Sequence, residues 1–364
     1  MAWFVIAAFV PAFVLAAVLV PLARRLALAA NLVAAVRPDR LHTEPKPTGG
    51  GLAIAATVAL VVGGAWALGL ALPAGALPGW LPAKVHAHLA ERAPLLVRLG
   101  LGALLFFIVG LLDDRFDLGP WPKLGLQAAS AALVVVGFGI KATVWIAAPV
   151  LPELVSILWI LAVVNAYNLF DHADGLAAAT GAIVLAFLAA GQLMMGEVFI
   201  PGIALVAAGA LAGFLIWNFP PAKIFMGDAG SHFIGYLLAA LTISARYYFP
   251  GQGTSRFVVL VPLILLAVPL FDALSVTLDR LSRGASPMAG DATSHLGHRL
   301  LAAGWSPRRV VLFIAVTVAL TGSASIVMAR VQAPWCWLAI SLVAASVLGV
   351  AAGRRLGLRP EARP

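Results

Sequence analysis

Acidic side chains in this chain come in short groups, each at the end of a long apolar run. One group reads Gly110-Leu-Leu-Asp113-Asp114-Arg-Phe-Asp117. On a continuing helix Asp113 and Asp117 share a face, four residues apart. Acids at a helix C-terminus oppose its dipole. The group therefore calls for a cation or a basic partner, and Lys123 is the nearest candidate in sequence. A solvated helix end is the plainer alternative.

A second group is Asn165-Ala-Tyr-Asn168-Leu-Phe-Asp171-His172-Ala-Asp174-Gly175. Its polar residues recur every three positions, so successive members lie close on a helix face. Carboxylate and amide oxygens suit Mg²⁺, which fills its other positions with water and substrate phosphate. Asp174 alone could cap the next helix, but capping does not require the polar residues before it. A third group runs Asn218-Phe-Pro220-Pro221-Ala-Lys223-Ile-Phe225-Met-Gly227-Asp228-Ala-Gly230-Ser231. Its glycines admit backbone N–H groups to a phosphate, and the helix beyond adds a favourable dipole. Asp228 can ligate a metal beside that phosphate. A turn with an N-cap is the commoner meaning of such a sequence, and Phe225 is by default a packed aromatic.

A fourth segment joins Arg280-Leu-Ser-Arg283 to Asp291 and His295-Leu-Gly-His298-Arg299. Histidines and arginines suit phosphate oxygens. Two histidines without a nearby cysteine do not complete a tetrahedral zinc set, and they more often lie at a surface. Upstream, Asp272 sits within an apolar run and shares a helix face with Asp279. An acid inside a span is a functional candidate by default. The last segment, from His42 through Pro47 to Gly50-Gly51, reads as a loop before a span.

Composition sets the elements that carry these groups. Of 364 residues, 15 are acidic and 24 basic, and apolar residues make up 62%. Mean hydropathy is +1.01. Soluble domains carry about a quarter charged residues; here the share is 11%. A soluble fold, a disordered chain and a nucleic-acid binder are excluded despite the net charge of +9. The single cysteine, Cys336, excludes a disulfide framework and a cysteine-based zinc site.

Spans need about 20 apolar residues each. Such runs cover 2–23, 51–72, 95–112, 124–140, 143–164, 175–195, 200–217, 232–249, 257–278, 310–329 and 334–352. The expected fold is all-α: one polytopic membrane domain over 1–364 with about 11 transmembrane helices. Cytoplasmic loops are expected near 24–50, 113–123, 165–175, 218–231 and 279–309. No charge precedes the first run, and Arg24 and Arg25 follow it, so it reads as a retained helix with its N-terminus outside and the C-terminus inside. Most of the Lys and Arg then lie inside, as the positive-inside rule requires. Acids need not obey that rule, yet all but Glu91, Glu153 and Glu197 fall on the same side. That face is the working face. A cation-coupled transporter would instead put its acids near the bilayer midplane.

In this order and on one face, the segments from about His42 to Arg299 resemble the polyprenyl-phosphate N-acetylhexosamine-1-phosphate transferases. That family includes the undecaprenyl-phosphate GlcNAc-1-phosphate transferases and the phospho-MurNAc-pentapeptide transferases. The resemblance implies transfer of a sugar 1-phosphate from a UDP-sugar to undecaprenyl or another polyprenyl phosphate, with Mg²⁺ (or Mn²⁺ in its place), releasing UMP. It implies a plasma-membrane enzyme with a cytoplasmic active site, initiating cell-envelope glycan synthesis, and a homodimer. Matched by position, Asp113, Asp114, Asp171 and Asp174 are expected to be catalytic, and Asn168 and Asp228 to hold the metal. Lys123, Asn218, Phe225, His295, His298, Arg299 and His42 are expected to bind substrate. The loop resembles the GlcNAc type more than the pentapeptide type. Two positions depart from the family pattern. Gly297 stands where the loop has its middle histidine, and His172 stands where a glycine usually follows the first Asp. The departures leave open a specificity change, a compensation in which His172 takes a loop-histidine role, or a binding-only protein.

Overall fold

A computed structural model describes residues 1–34, 45–72, 76, 78–79, 83–142, 148–247, 256–286 and 295–330. The chain runs through α1 (Ala2–Ala29), α2 (Gly50–Ala71), α3 (Ala83–Phe116) and α4 (Pro120–Ala132), which continues into a π-helical turn, Leu133–Gly137. Next come α5 (Leu151–Phe170), α6 (Leu176–Met194), α7 (Phe199–Asn218) and α8 (Gly227–Ser244). The last described helices are α9 (Val261–Leu265), α10 (Ala267–Ser282), α11 (Leu296–Ala302) and α12 (Pro307–Arg330). Two short strands, β1 (Val33–Ala34) and β2 (Lys46–Pro47), pair antiparallel with Val33 opposite Pro47.

Among the described residues, seven helices are long and apolar enough to cross a membrane, or eight if the α9–α10 region, bent by 67°, forms one span. The protein is a multi-pass, all-helical membrane protein. The expected runs 124–140 and 232–249 correspond to α4 and α8, which fall outside that set. Helix α4 is short, and the first turns of α8 carry Asp228, Ser231 and His232. The expected run 334–352 lies outside the described residues. Several boundaries move: α1 continues to Ala29, α3 runs from Ala83 to Phe116, α8 starts at Gly227, and α5 starts at Leu151 and continues to Phe170, beyond the expected end at 164. Asn165 and Asn168 are therefore helical, as are Asp113 and Asp114 in α3, and none of them lies in a loop.

Side-chain size decides the layering. On α1, Ala12, Ala16, Val20, Ala23 and Ala27 are buried, while Val10, Val14, Val18 and Leu22 face outward. The small stripe packs on α7, where a Cβ at Gly209 would lie 2.3 Å from the Phe9 carbonyl oxygen, and one at Gly213 2.3 Å from that of Phe13. Small residues four apart let helix backbones approach in lipid, where dispersion rather than water exclusion holds helices together. Helix α8 occupies the centre. Every residue from Ala229 to Thr242 is buried, and α3, α5 and α2 pack around it. A helix shielded from lipid on all sides can begin with polar residues, and those residues build the site.

Candidate active site

The ends of α3 and α5 and the start of α8 meet at one point. Gly110 makes this possible, because a Cβ there would lie 2.2 Å from the Asp228 carbonyl oxygen. Asp114 accepts the backbone N–H groups of Asp228 at 2.8 Å and Ala229 at 2.9 Å. It thus caps α8 from a different helix, satisfying donors the helix start leaves open. Gly227, with φ +75°, turns the chain beneath that carboxylate.

Asp113 is buried. Its Oδ1 accepts the Leu118 N–H at 2.9 Å, and its Oδ2 lies 2.5 Å from Lys123 Nζ. The same ammonium donates to Asn168 Oδ1 at 3.1 Å and to Asp228 Oδ2 at 3.4 Å. Asn168 donates through Nδ2 to Asp228 Oδ1 and to Ser231 Oγ at 2.8 Å. Three oxygens from three helices converge on one cation. This oxygen-only set fits the preference of Mg²⁺, with Asn168 and Asp228 placed to share it.

Asp171 follows the last turn of α5, where its N–H donates to the Asn168 carbonyl at 3.1 Å. Desolvation, together with the negative charges of Asp228, Asp114 and Asp174, pushes its carboxyl well above the usual carboxylate range. Asp174 does not cap α6. It accepts the Ala222 N–H at 2.8 Å and faces Lys46 Nζ at 3.7 Å, because Gly175 intervenes at the helix start and turns with φ +74°. The Gly175 N–H is taken instead by Asn218 Oδ1 at 3.0 Å. Asn218 is buried and donates to the Ile224 carbonyl at 2.9 Å, so it ties two loops together. Phe225 is half-buried, with Lys46 Nζ 5.2 Å from its ring centre.

Beside this oxygen cluster lies a second, nitrogen-rich one. Asp272 is buried in α10. Its Oδ2 meets His295 Nδ1 at 2.7 Å, and its Oδ1 accepts the Leu296 N–H at 2.8 Å. The expectation of surface histidines fails for His295, which is buried because that carboxylate draws it in. Arg299 donates to Asp279 at 2.9 Å, and Asp279 also pairs with Arg283. The rings of His295 and His298 flank His172, at centroid distances of 4.5 and 5.2 Å. His172, Asp272 and His295 offer ligand atoms within 4.8 Å of one another, a group that could hold a metal ion.

His42 lies outside the described residues. The segment after it is more than a connecting loop. Phe225 N–H donates to Pro47 O at 2.8 Å, while Gly50 and Gly51 N–H donate to the carbonyls of Phe225 and Met226 at 3.0 and 2.8 Å. A buried relay also escaped the sequence reading. Asn165 donates to Gln127 at 2.8 Å, Gln127 Nε2 lies 2.8 Å from His232 Nε2, and His232 Nδ1 lies 2.7 Å from the Asp228 carbonyl oxygen. Its only signal was polar residues inside apolar runs.

The chain is similar in sequence to known proteins. The sequence model of glycosyl transferase family 4 matches residues 96–246. A probable undecaprenyl-phosphate N-acetylglucosaminyl 1-phosphate transferase of Bacillus subtilis is 30% identical over 85% of this chain and 81% of its own. A decaprenyl-phosphate N-acetylglucosaminephosphotransferase of Mycolicibacterium smegmatis is 37% identical over 80% of this chain and 74% of its own. A phospho-N-acetylmuramoyl-pentapeptide-transferase of a Synechococcus strain is 35% identical but spans 60% of this chain and 65% of its own.

Proposed function

The chain belongs to glycosyl transferase family 4, and on that premise we propose that it transfers N-acetylglucosamine 1-phosphate from UDP-GlcNAc to a polyprenyl phosphate, most simply undecaprenyl phosphate, releasing UMP. The observation that carries this reading is the cation seat formed by Asp113, Asn168 and Asp228 around Lys123 Nζ. Donor and acceptor phosphates repel each other, and a cation between them offsets that repulsion. The broader coverage of the GlcNAc-type relatives supports this donor over the pentapeptide-linked one.

In the reaction, an oxygen of the acceptor phosphate attacks the donor phosphorus that bears the sugar. The bond from that phosphorus to the bridging oxygen breaks, and UMP leaves with the bridging oxygen. A bound Mg²⁺ would supply charge neutralisation of the pyrophosphate, held by Asp228 and Asn168. Asp113 orients the acceptor phosphate, and Lys123 supplies positive charge next to it. Asp171, whose carboxyl is pushed up by burial and by neighbouring acids, is the group there best suited to carry a proton. His295, His298 and Arg299 bind donor phosphate, and Phe225 offers an aromatic face for the uracil. Asp114, Asn218 and Asp174 hold the loops that carry these groups. The site lies on the cytoplasmic face of the plasma membrane, and the enzyme is a homodimer.

The test is reconstitution. Purified protein with UDP-GlcNAc, undecaprenyl phosphate and Mg²⁺ yields a lipid-linked sugar diphosphate and UMP in equal amounts, and EDTA stops both. Product from UDP-MurNAc-pentapeptide alone would overturn the donor assignment.

A further inference from the structure

We propose that His172 is the third imidazole of the α11 histidine cluster, delivered from the α5–α6 turn, and that it positions His295 and His298 for the donor phosphates. The role rests on the transfer reaction proposed above. The placement rests on geometry alone.

The His172 ring stacks on His295 at 4.5 Å with 22° between the planes, and lies 5.2 Å from His298 at 35°. Phe170 closes one side edge-on, at 5.9 Å. The ring thus contacts both imidazoles, although it comes from a different part of the chain. Its Nδ1 bonds the Leu169 carbonyl oxygen at 3.0 Å. That bond puts the hydrogen on Nδ1 and leaves a lone pair on Nε2.

Nε2 points at Gly297. A Cβ at Gly297 would lie 2.5 Å from His172 Nε2 and 3.3 Å from its Cδ2. Positions 172 and 297 therefore share one side-chain volume. With the His172 ring in this position, a Cβ at 297 collides with it. A side chain at 297 would need residue 172 to be small or its ring displaced, and would project into the space the imidazole now fills.

A purely structural filler would not be built this way. His172 Nε2 is buried with no hydrogen-bond partner. An unpartnered polar atom is a cost that an apolar ring of similar size would avoid. The stack also differs from a metal chelate. The His172 and His295 rings run nearly parallel, so their in-plane lone pairs do not converge on one point. Both oxygens of Asp272 already serve His295 and the Leu296 N–H. His172 acts through its neighbours: it fixes the ring plane of His295, which Asp272 orients from the other side, and packs against His298. It also sits one residue after Asp171, so the turn that places the acid at the oxygen cluster places the imidazole at the nitrogen one.

The test is a reciprocal swap with three readouts: melting temperature, binding of UDP-GlcNAc, and steady-state kinetics. His172→Gly should lower kcat/KM on the order of 10- to 100-fold, the effect of a misplaced binding group. The loss should fall on KM for UDP-GlcNAc and leave KM for undecaprenyl phosphate unchanged. Free imidazole in the buffer should restore part of it. Gly297→His should lower the melting temperature by forcing two rings into one volume. The double variant H172G/G297H should recover both stability and donor KM beyond either single variant. His172→Phe keeps an aromatic ring in the stack and should keep both the stability and most of the donor affinity. Wild-type donor KM in His172→Gly would overturn the role. A double variant no better than the single ones would overturn the shared volume. Stoichiometric zinc in the wild type, absent from His172→Gly, would replace positioning with metal ligation. If the wild type releases no UMP, the proposed reaction fails separately, and the melting temperatures still test the shared volume.

Discussion

The two clusters at the working face solve opposite electrostatic problems. In the oxygen cluster Asp113, Asp114, Asp171 and Asp228 crowd together, and Lys123 is the ammonium bonded among them. In the nitrogen cluster a single buried carboxylate, Asp272, is met by an imidazole and a backbone N–H, with two further imidazoles stacked alongside. The first arrangement is short of positive charge and ready to take a cation. The second is close to neutral and fixes directions. Removing charge from the first should change chemistry with little effect on folding, whereas removing a group from the second should change geometry.

The contrast can be broken most severely at Asp228. Asp228→Asn should lower kcat on the order of 10³-fold, as removal of a main electrostatic contributor does. Its melting temperature should change little, because relief of repulsion from Asp113 and Asp114 is offset by loss of the ion pair with Lys123. Asp114→Ala removes the same formal charge from the same cluster but also the cap on α8. It should cost about 1–2 kcal/mol of stability, visible as a lower melting temperature, along with reduced activity. If both variants melt alike, the division between cation seat and cap is wrong.

Acidity separates the clusters with opposite signs. Burial, then the neighbouring His295, lowers the pKa of His172 to about 3. Its stabilising contribution is complete above the unfolded value of about 6.5 and is lost as pH falls toward the folded value. The slope is at most about 1.4 kcal/mol per pH unit, and His172→Gly should flatten it in melting curves between those limits. Asp171 runs the other way. Its carboxyl is raised, so its contribution is full below about 3.9 and declines as pH rises above that. Asp171→Asn should therefore raise the melting temperature near neutral pH. The smallest effect is expected outside both clusters. Glu153 pairs with Lys141 at 2.6 Å on an exposed edge. Glu153→Gln should leave melting temperature and kcat unchanged within error, since exposed ion pairs contribute little.

Much of this was readable from residue order. The apolar runs located most of the helices, because lipid demands length and apolarity from any segment that faces it. Helix α8 is less apolar because burial relaxes that demand, and α4 is too short to meet it by itself. The acids at the ends of 95–112 and 143–164 marked the site because charge near a membrane is costly without a partner. Partners across the fold were harder to read. Asn218, expected to bind substrate, and Asp174, expected to be catalytic, also hydrogen-bond the backbone of neighbouring loops, and a carboxylate or amide gives the same sequence signal for either task. Asp114 looked equivalent to Asp113, yet one step along a helix turns its side chain toward the start of α8.

By itself the sequence determined that this is a helical membrane protein, that its scarce charge collects at the ends of apolar runs, and which groups could do chemistry there. Hydrophobic length and the cost of charge in lipid are local properties, and they are written residue by residue. Only the tertiary structure decided that the Lys123 ammonium sits among oxygens from three helices, and that His172 fills the space Gly297 leaves. Those facts depend on helices that approach closely only where glycine removes a side chain, at Gly110 and Gly297. A missing Cβ leaves no hydropathy signal; its meaning comes from the neighbour that fills its place.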